Sequence, residues 1–179
     1  MTRQTILTLG LLAALSTGAG AITTVPMTFE QLVGEATAVV YARVADVRGE
    51  WTRDRRAINS VITLEALRYL KGDLGPTVLM RLPGGEAGGR INVLPGAPVL
   101  REGELVVLFL ATQGPAIPTT VGLGQGVFHV VRDARSGSML VSPPPFKASA
   151  MGRIVRGSAE RRLLTLDAFA ASVRAIEAD

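Results

Sequence analysis

The residues best suited to chemistry in this chain lie in "RLPGGEAGGRINVLPGAP", Arg81 to Pro98. Within it, Gly84 to Gly89 followed by Arg90 reads G-x-x-x-x-G-R, one letter from a phosphate-binding loop. Such a loop surrounds phosphates with backbone N–H groups at a helix N-terminus, adds a Lys, and holds magnesium with a Ser or Thr hydroxyl. Here Arg90 replaces the Lys and Ile91 the hydroxyl, while Pro95 and Pro98 interrupt the helix that should follow. Phosphate-loop chemistry is therefore excluded. "GLGQG", residues 122–126, fails as a dinucleotide fingerprint, because the β-rich "VFHVV" follows it instead of a helix.

Nucleophilic catalysis requires a nucleophile, a base and an orienting acid. The only histidine, His129, sits in an alternating apolar stretch, and Ser60, Ser136, Ser138, Ser142 and Ser149 lack a nucleophile-elbow context. With no cysteine and with Asp46, Glu50, Asp54, Glu65 and Asp73 scattered, no metal-ligand spacing emerges. Neither a catalytic residue nor a cofactor is nominated. What stands out instead is "RGEWTRDRR", which sets the one tryptophan, Trp51, beside Arg48, Arg53, Arg55 and Arg56. Trp and Arg are over-represented where proteins bind partners. The candidate interaction surface is accordingly Trp51, Arg53, Arg81, Glu86, Arg90 and Asn92.

These residues must be positioned by elements legible in the hydropathy pattern. Thr28 and Gln31 form a capping box ahead of Phe29, Leu32, Val33 and Ala36, which repeat at helical spacing. Strands are predicted at 37–48, 57–72 and 76–84, then at 103–111 and 121–133, with a short one after the turn "ARSGSM". The end of the second, "LEALRYLKG", also fits a helix, but the β-branched run leading into it favours a strand that continues or bulges. The apolar "GELVVLFLA" reads as the central strand. Thr165 caps a C-terminal helix, 165–177, whose Leu166, Phe169, Ala170, Val173 and Ile176 share one face. Strands between terminal helices predict a mainly β fold, a small closed or partly open OB-like β-barrel with a short N-terminal helix and a C-terminal helix.

Composition bounds the setting. Arg3, the apolar "ILTLGLLAALSTGAG" and Ala19-Gly20-Ala21 have the form of a secretory signal peptide, residues 1–21, cleaved after Ala21. The mature chain, 22–179, is then one exported domain, periplasmic or secreted. Hydrophobic residues make up 47% but aromatic ones only 4%, so the core must be aliphatic. The formal charge of +4 is spread along the chain. No basic cluster interleaved with aromatics argues for nucleic acid, and no second apolar run approaches the roughly 20 residues of a spanning helix. The basic stretch 146–162 has no assignable structure.

The strand sequence "VVYARVADVR", "VITLEALRYLKGD", "TVLMRLPGG" and "REGELVVLFL" resembles the netrin-like domains and tissue inhibitors of metalloproteinases. The match rests on Leu70-Lys71-Gly72 and on Gly103-Glu104 leading into Leu105–Leu110, over roughly 37–132. It also resembles a group of exported bacterial proteins with a glycine-rich "PGG…PG-P" segment. The first resemblance implies an OB-type barrel with flanking helices. Those inhibitors chelate zinc through an N-terminal Cys, and this chain has none, so the inhibitory mechanism does not carry over. The expected function is a non-enzymatic binding module of the cell envelope, whose partner is another exported protein or envelope component. The alternatives are a protease inhibitor acting by loop insertion and a hydrolase built around His129 or a carboxylate pair.

Overall fold

A computed structural model describes residues 25–112, 114, 116–144 and 163–178. The leader expected at 1–21 and the basic stretch 146–162 lie outside the described residues. The chain is mainly β. Helix α1 (Phe29–Glu35) precedes strands β1 (Ala38–Trp51), β2 (Ile58–Lys71) and β3 (Thr77–Pro83). Two short strands, β4 (Gly85–Ala87) and β5 (Arg90–Asn92), interrupt the glycine-rich stretch. Then come β6 (Leu105–Ala111), β7 (Thr119–Thr120), a 3₁₀ turn (Leu123–Gly126), β8 (Val127–Arg132), β9 (Met139–Ser142), β10 (Leu164–Thr165) and helix α2 (Leu166–Glu177).

The large sheet is antiparallel, in the order β10-β9-β8-β6-β1-β2-β3, with β7 on the same edge of β6 as β8. Its ladder is not closed. β3 and β6 are separated by two strands, yet Val78, Met80 and Leu82 pack with Val106, Leu108 and Leu110 in one buried cluster. The sheet must therefore curl. Three register shifts between β1 and β2, at Val39/Val40, Tyr41/Ala42 and Val44/Asp46, supply the bend. The curl brings the free edge of β3 toward β7, where the Arg81 N–H donates to the Pro118 carbonyl at 2.9 Å.

β6 is buried on both faces, which is why its sequence is a continuous apolar run. Its even residues enter the cluster just described. Val107 and Phe109 face a second core shared with Phe128, Val130 and the two helices. In that core, Phe29 of α1 and Phe169 of α2 meet Phe109 and Phe128, with ring centroids 5.1–6.5 Å apart. The core is thus aliphatic on one face of the sheet and knitted by phenylalanine on the other.

Both helix starts are locally specified. The Thr28 hydroxyl accepts from the Gln31 N–H at 3.2 Å, and the Gln31 amide oxygen accepts from the Thr28 N–H at 2.8 Å. Thr165 accepts from the Ala168 N–H at 3.2 Å. At the other end of α1, Lys71 reaches across from β2 and donates to the Val33 carbonyl at 2.7 Å, occupying one of the orphan acceptors of a helix C-terminus. The Leu70-Lys71-Gly72 step thereby ties β2 to α1. Arg68 of β2 pairs with Asp167 in the first turn of α2 at 2.8 Å.

Candidate functional site

β1 and β2 run on to Trp51 and Ile58, so the connection between them is the tight segment 52–57 instead of the whole of 49–56. Its shape is held from within. The Thr52 N–H donates to the Ala57 carbonyl at 2.8 Å, and the Thr52 hydroxyl donates to Asp54 Oδ1 at 2.6 Å. Arg55 takes a positive φ of 57°, and its N–H donates to the Thr52 carbonyl. The Thr52 hydroxyl, followed by the Arg56 N–H, holds the Asp54 carboxyl below its ordinary range. A fixed, ionised carboxylate thus braces the turn, and Arg53, Arg55 and Arg56 project from it into solvent.

The glycine-rich stretch is a second hairpin, antiparallel, pairing Gly85 with Asn92, Glu86 with Ile91 and Ala87 with Arg90. Gly88 and Gly89 form its two-residue turn with φ of 59° and 71°. Positive φ at both central positions is the requirement of a type I′ turn, whose twist suits a hairpin. The hairpin folds back onto the sheet. The Gly84 N–H donates to the Ile58 carbonyl and the Ser60 hydroxyl to the Gly84 carbonyl, both at 2.9 Å. β4 crosses β1 at Gly49, where a Cβ would overlap the Glu86 carbonyl. Two residues on, a Cβ at Gly88 would lie 3.8 Å from Trp51 Nε1.

The two hairpin tips therefore adjoin, and with them Trp51, Arg53, Glu86, Arg90 and Asn92. Arg81 stands apart: its register with Val61, and through it with Arg48, sets it three residues down the strands from Trp51. Two side chains of this end had not been singled out by sequence. Ile91 is 71% exposed and Val93 79%, against 37% for Trp51. Their only signal was apolar character inside a glycine- and proline-rich stretch. Among the described residues, Arg53, Arg55 and Arg90 enter no ion pair, while Arg56 lies 4.0 Å from Asp54.

His129 lies elsewhere, on β8, opposite Ser142 of β9. Its Nδ1 is 3.9 Å from Glu104 Oε2, beyond hydrogen-bonding distance, and its side chain is 38% exposed. Glu104 instead accepts from the Arg101 N–H at 3.2 Å, and the Ser142 hydroxyl turns to the Pro143 carbonyl at 3.5 Å. Acid, imidazole and hydroxyl share a face of the sheet but are not connected as a triad. No group of three metal-ligating side chains occurs among the described residues.

"GLGQG" proves to be a clamp on the incoming chain. Strand β8 begins only at Val127, and the preceding 3₁₀ turn buries Gln125. Its amide oxygen accepts from the Met27 N–H at 2.8 Å, and its amide nitrogen donates to the Val25 carbonyl at 3.0 Å. Gln125→Leu keeps the bulk and strands both backbone groups. We expect a loss of about 1–3 kcal/mol and faster exchange of the Met27 amide, read by hydrogen exchange. An unchanged Met27 protection factor would contradict the clamp.

Among the described residues, no helix is long and apolar enough to cross a membrane. No protein-family model matches the chain, and neither a curated protein nor a solved structure matches it.

Proposed function

We propose that this protein is an exported, non-enzymatic binding module of the cell envelope, built on a partly open OB-like barrel. Support for the barrel comes from strand neighbours: β1 lies between β2 and β6, β3 follows β2, and β7 follows β6. The Arg81–Pro118 hydrogen bond links the two free flanks. OB-type barrels bind through loops around one face, which is an analogy of fold.

The observation that carries the functional reading is the pair of braced hairpin tips. This end of the molecule holds an indole, two exposed aliphatic side chains and guanidinium groups that enter no ion pair among the described residues. A folded domain gains nothing in its own stability from exposing Ile91 and Val93, and apolar exposure grouped with charge marks a contact surface. The chain's export rests on its leader-like first 21 residues, and its partner is an envelope component. Affinity capture from an envelope extract tests this, using immobilised 22–179 against the Trp51→Ala and Arg90→Ala forms. Partners retained by the unmodified domain should be lost by both variants. Identical captured sets would remove the tips from the function.

A further inference from the structure

We propose that the paired hairpin tips dock on the surface of an anionic phospholipid bilayer; this rests on the reading of the tips as the contact surface. The observations are of three kinds. First, the surface is made of protruding tips. The turns 52–57 and 88–89 lie side by side, as the approach of Gly88 to Trp51 Nε1 requires. Ile91 and Val93 on the second hairpin are exposed, at 71% and 79%. Side chains that project suit penetration of a soft planar interface, whereas a small ligand needs a concave site.

Second, the residue types match the layers of that interface. Indole rings favour the headgroup level, and aliphatic side chains favour the acyl boundary just beneath it. Third, the charge is complementary. Arg53, Arg55 and Arg90 carry no ion pair among the described residues, and Arg56 is only 4.0 Å from Asp54. The acidic groups at this end are Glu50, whose Oε1 lies 3.4 Å from Arg48 Nε, Asp54, whose carboxylate is held by Thr52, and Glu86, paired across the hairpin with Ile91. Each arginine near an anionic surface contributes about fivefold to binding, so three contribute on the order of hundredfold. A nucleic acid would need stacking aromatics, and this end has a single tryptophan.

That tryptophan is the only one in the chain, so its fluorescence reports the tip directly. The experiment mixes the folded 22–179 protein with vesicles of phosphatidylcholine, alone or containing phosphatidylglycerol. It follows Trp51 emission and co-sedimentation. Emission should shift to the blue with the anionic vesicles only, and binding should weaken steeply as salt is raised. The combined Arg53→Glu, Arg55→Glu, Arg90→Glu protein should bind on the order of hundredfold more weakly or worse. Ile91→Asp with Val93→Asp should sediment less and lose the shift. Both variants change exposed side chains, and thermal melting confirms that they fold.

Equal binding to neutral vesicles, no binding to either, or full binding by the arginine variant overturns the proposal. If vesicles fail while an envelope protein is still captured in a Trp51-dependent manner, the contact surface stands and its lipid partner does not. If both fail, the reading of the tips fails with it.

Discussion

Phe169→Ala is expected to destabilise the protein by about 3–5 kcal/mol, the usual range for removing a buried phenylalanine. Phe169 is 1% exposed, and its ring centroid lies 5.3 Å from Phe29, 5.1 Å from Phe128 and 6.2 Å from Phe109. It touches a helix at the start of the domain and two strands from its middle. The cavity would open where Phe169 meets three other rings edge to face, and rigid rings cannot collapse to fill it. Against a total stability of about 5–15 kcal/mol, the loss is large. It corresponds to a fall in melting temperature of roughly 6–20 °C for a domain of this size. Helix α2 should loosen first, since Phe169 is its largest buried side chain, Ala170 and Val173 bury much less apolar surface, and the exposed Arg68–Asp167 pair is worth at most about 1 kcal/mol. Denaturant unfolding followed by circular dichroism measures this. A loss below about 1 kcal/mol would mean that α2 does not depend on the ring cluster. Trp51 emission below the melting range should not change, because Arg68 pairs with Tyr41, ten residues along β1 from Trp51.

Elements specified by their own residues were legible in advance, and elements specified by distant residues were not. Thr28 and Gln31 cap α1 with each other, so four consecutive positions contained the answer. β6 announced itself by apolar length. "LEALRYLK" was ambiguous in isolation, because its apolar residues satisfy both periods. Pairing with β1 settles it, and the bulges there absorb the irregular alternation. β4 and β5 are three residues each, too short to show a period; β4 forms by docking on β1 and β2, and β5 by pairing with β4. The contact surface divides the same way. Composition drew notice to Trp51, Arg53 and Arg90, since those residue types bind. Their adjacency depends on Gly49, which looked like one more turn residue. Arg81 was grouped with them by closeness in sequence, and the strand direction of β3 carries it away. Ile91 and Val93 went unmarked because exposure is a tertiary property.

Gly49→Ala is expected to lift the glycine-rich hairpin from the sheet. Gly49 is not among the glycines with positive φ, so alanine suits its backbone and by local preference would stabilise the strand. Its penalty comes entirely from the Glu86 carbonyl, which occupies the space a Cβ needs. A carbonyl within a paired strand cannot rotate aside, so either β1 or the whole β4–β5 hairpin must move. β1 is paired with β2 along its whole length and with β6 over Ala38–Arg43, whereas the hairpin is held by the Gly84–Ile58 and Ser60–Gly84 hydrogen bonds. The hairpin gives way, at a cost of about 1–3 kcal/mol. Gly89→Ala provides the contrast. Its φ of 71° is unfavourable for alanine, yet nothing lies within 4 Å of the added methyl. It should cost about 1–2 kcal/mol and leave the hairpin seated. Hydrogen exchange separates the two: Gly49→Ala should release the Gly84 amide while β6 stays protected, and Gly89→Ala should release neither. A protected Gly84 amide in Gly49→Ala would show that β4 does not cross β1 at that point. The same variant bears on function, because it separates the two tips without altering Trp51, Arg53, Arg90, Ile91 or Val93. If binding needs the tips side by side, Gly49→Ala should lose it with every contacting side chain still present; if either tip suffices alone, binding should survive.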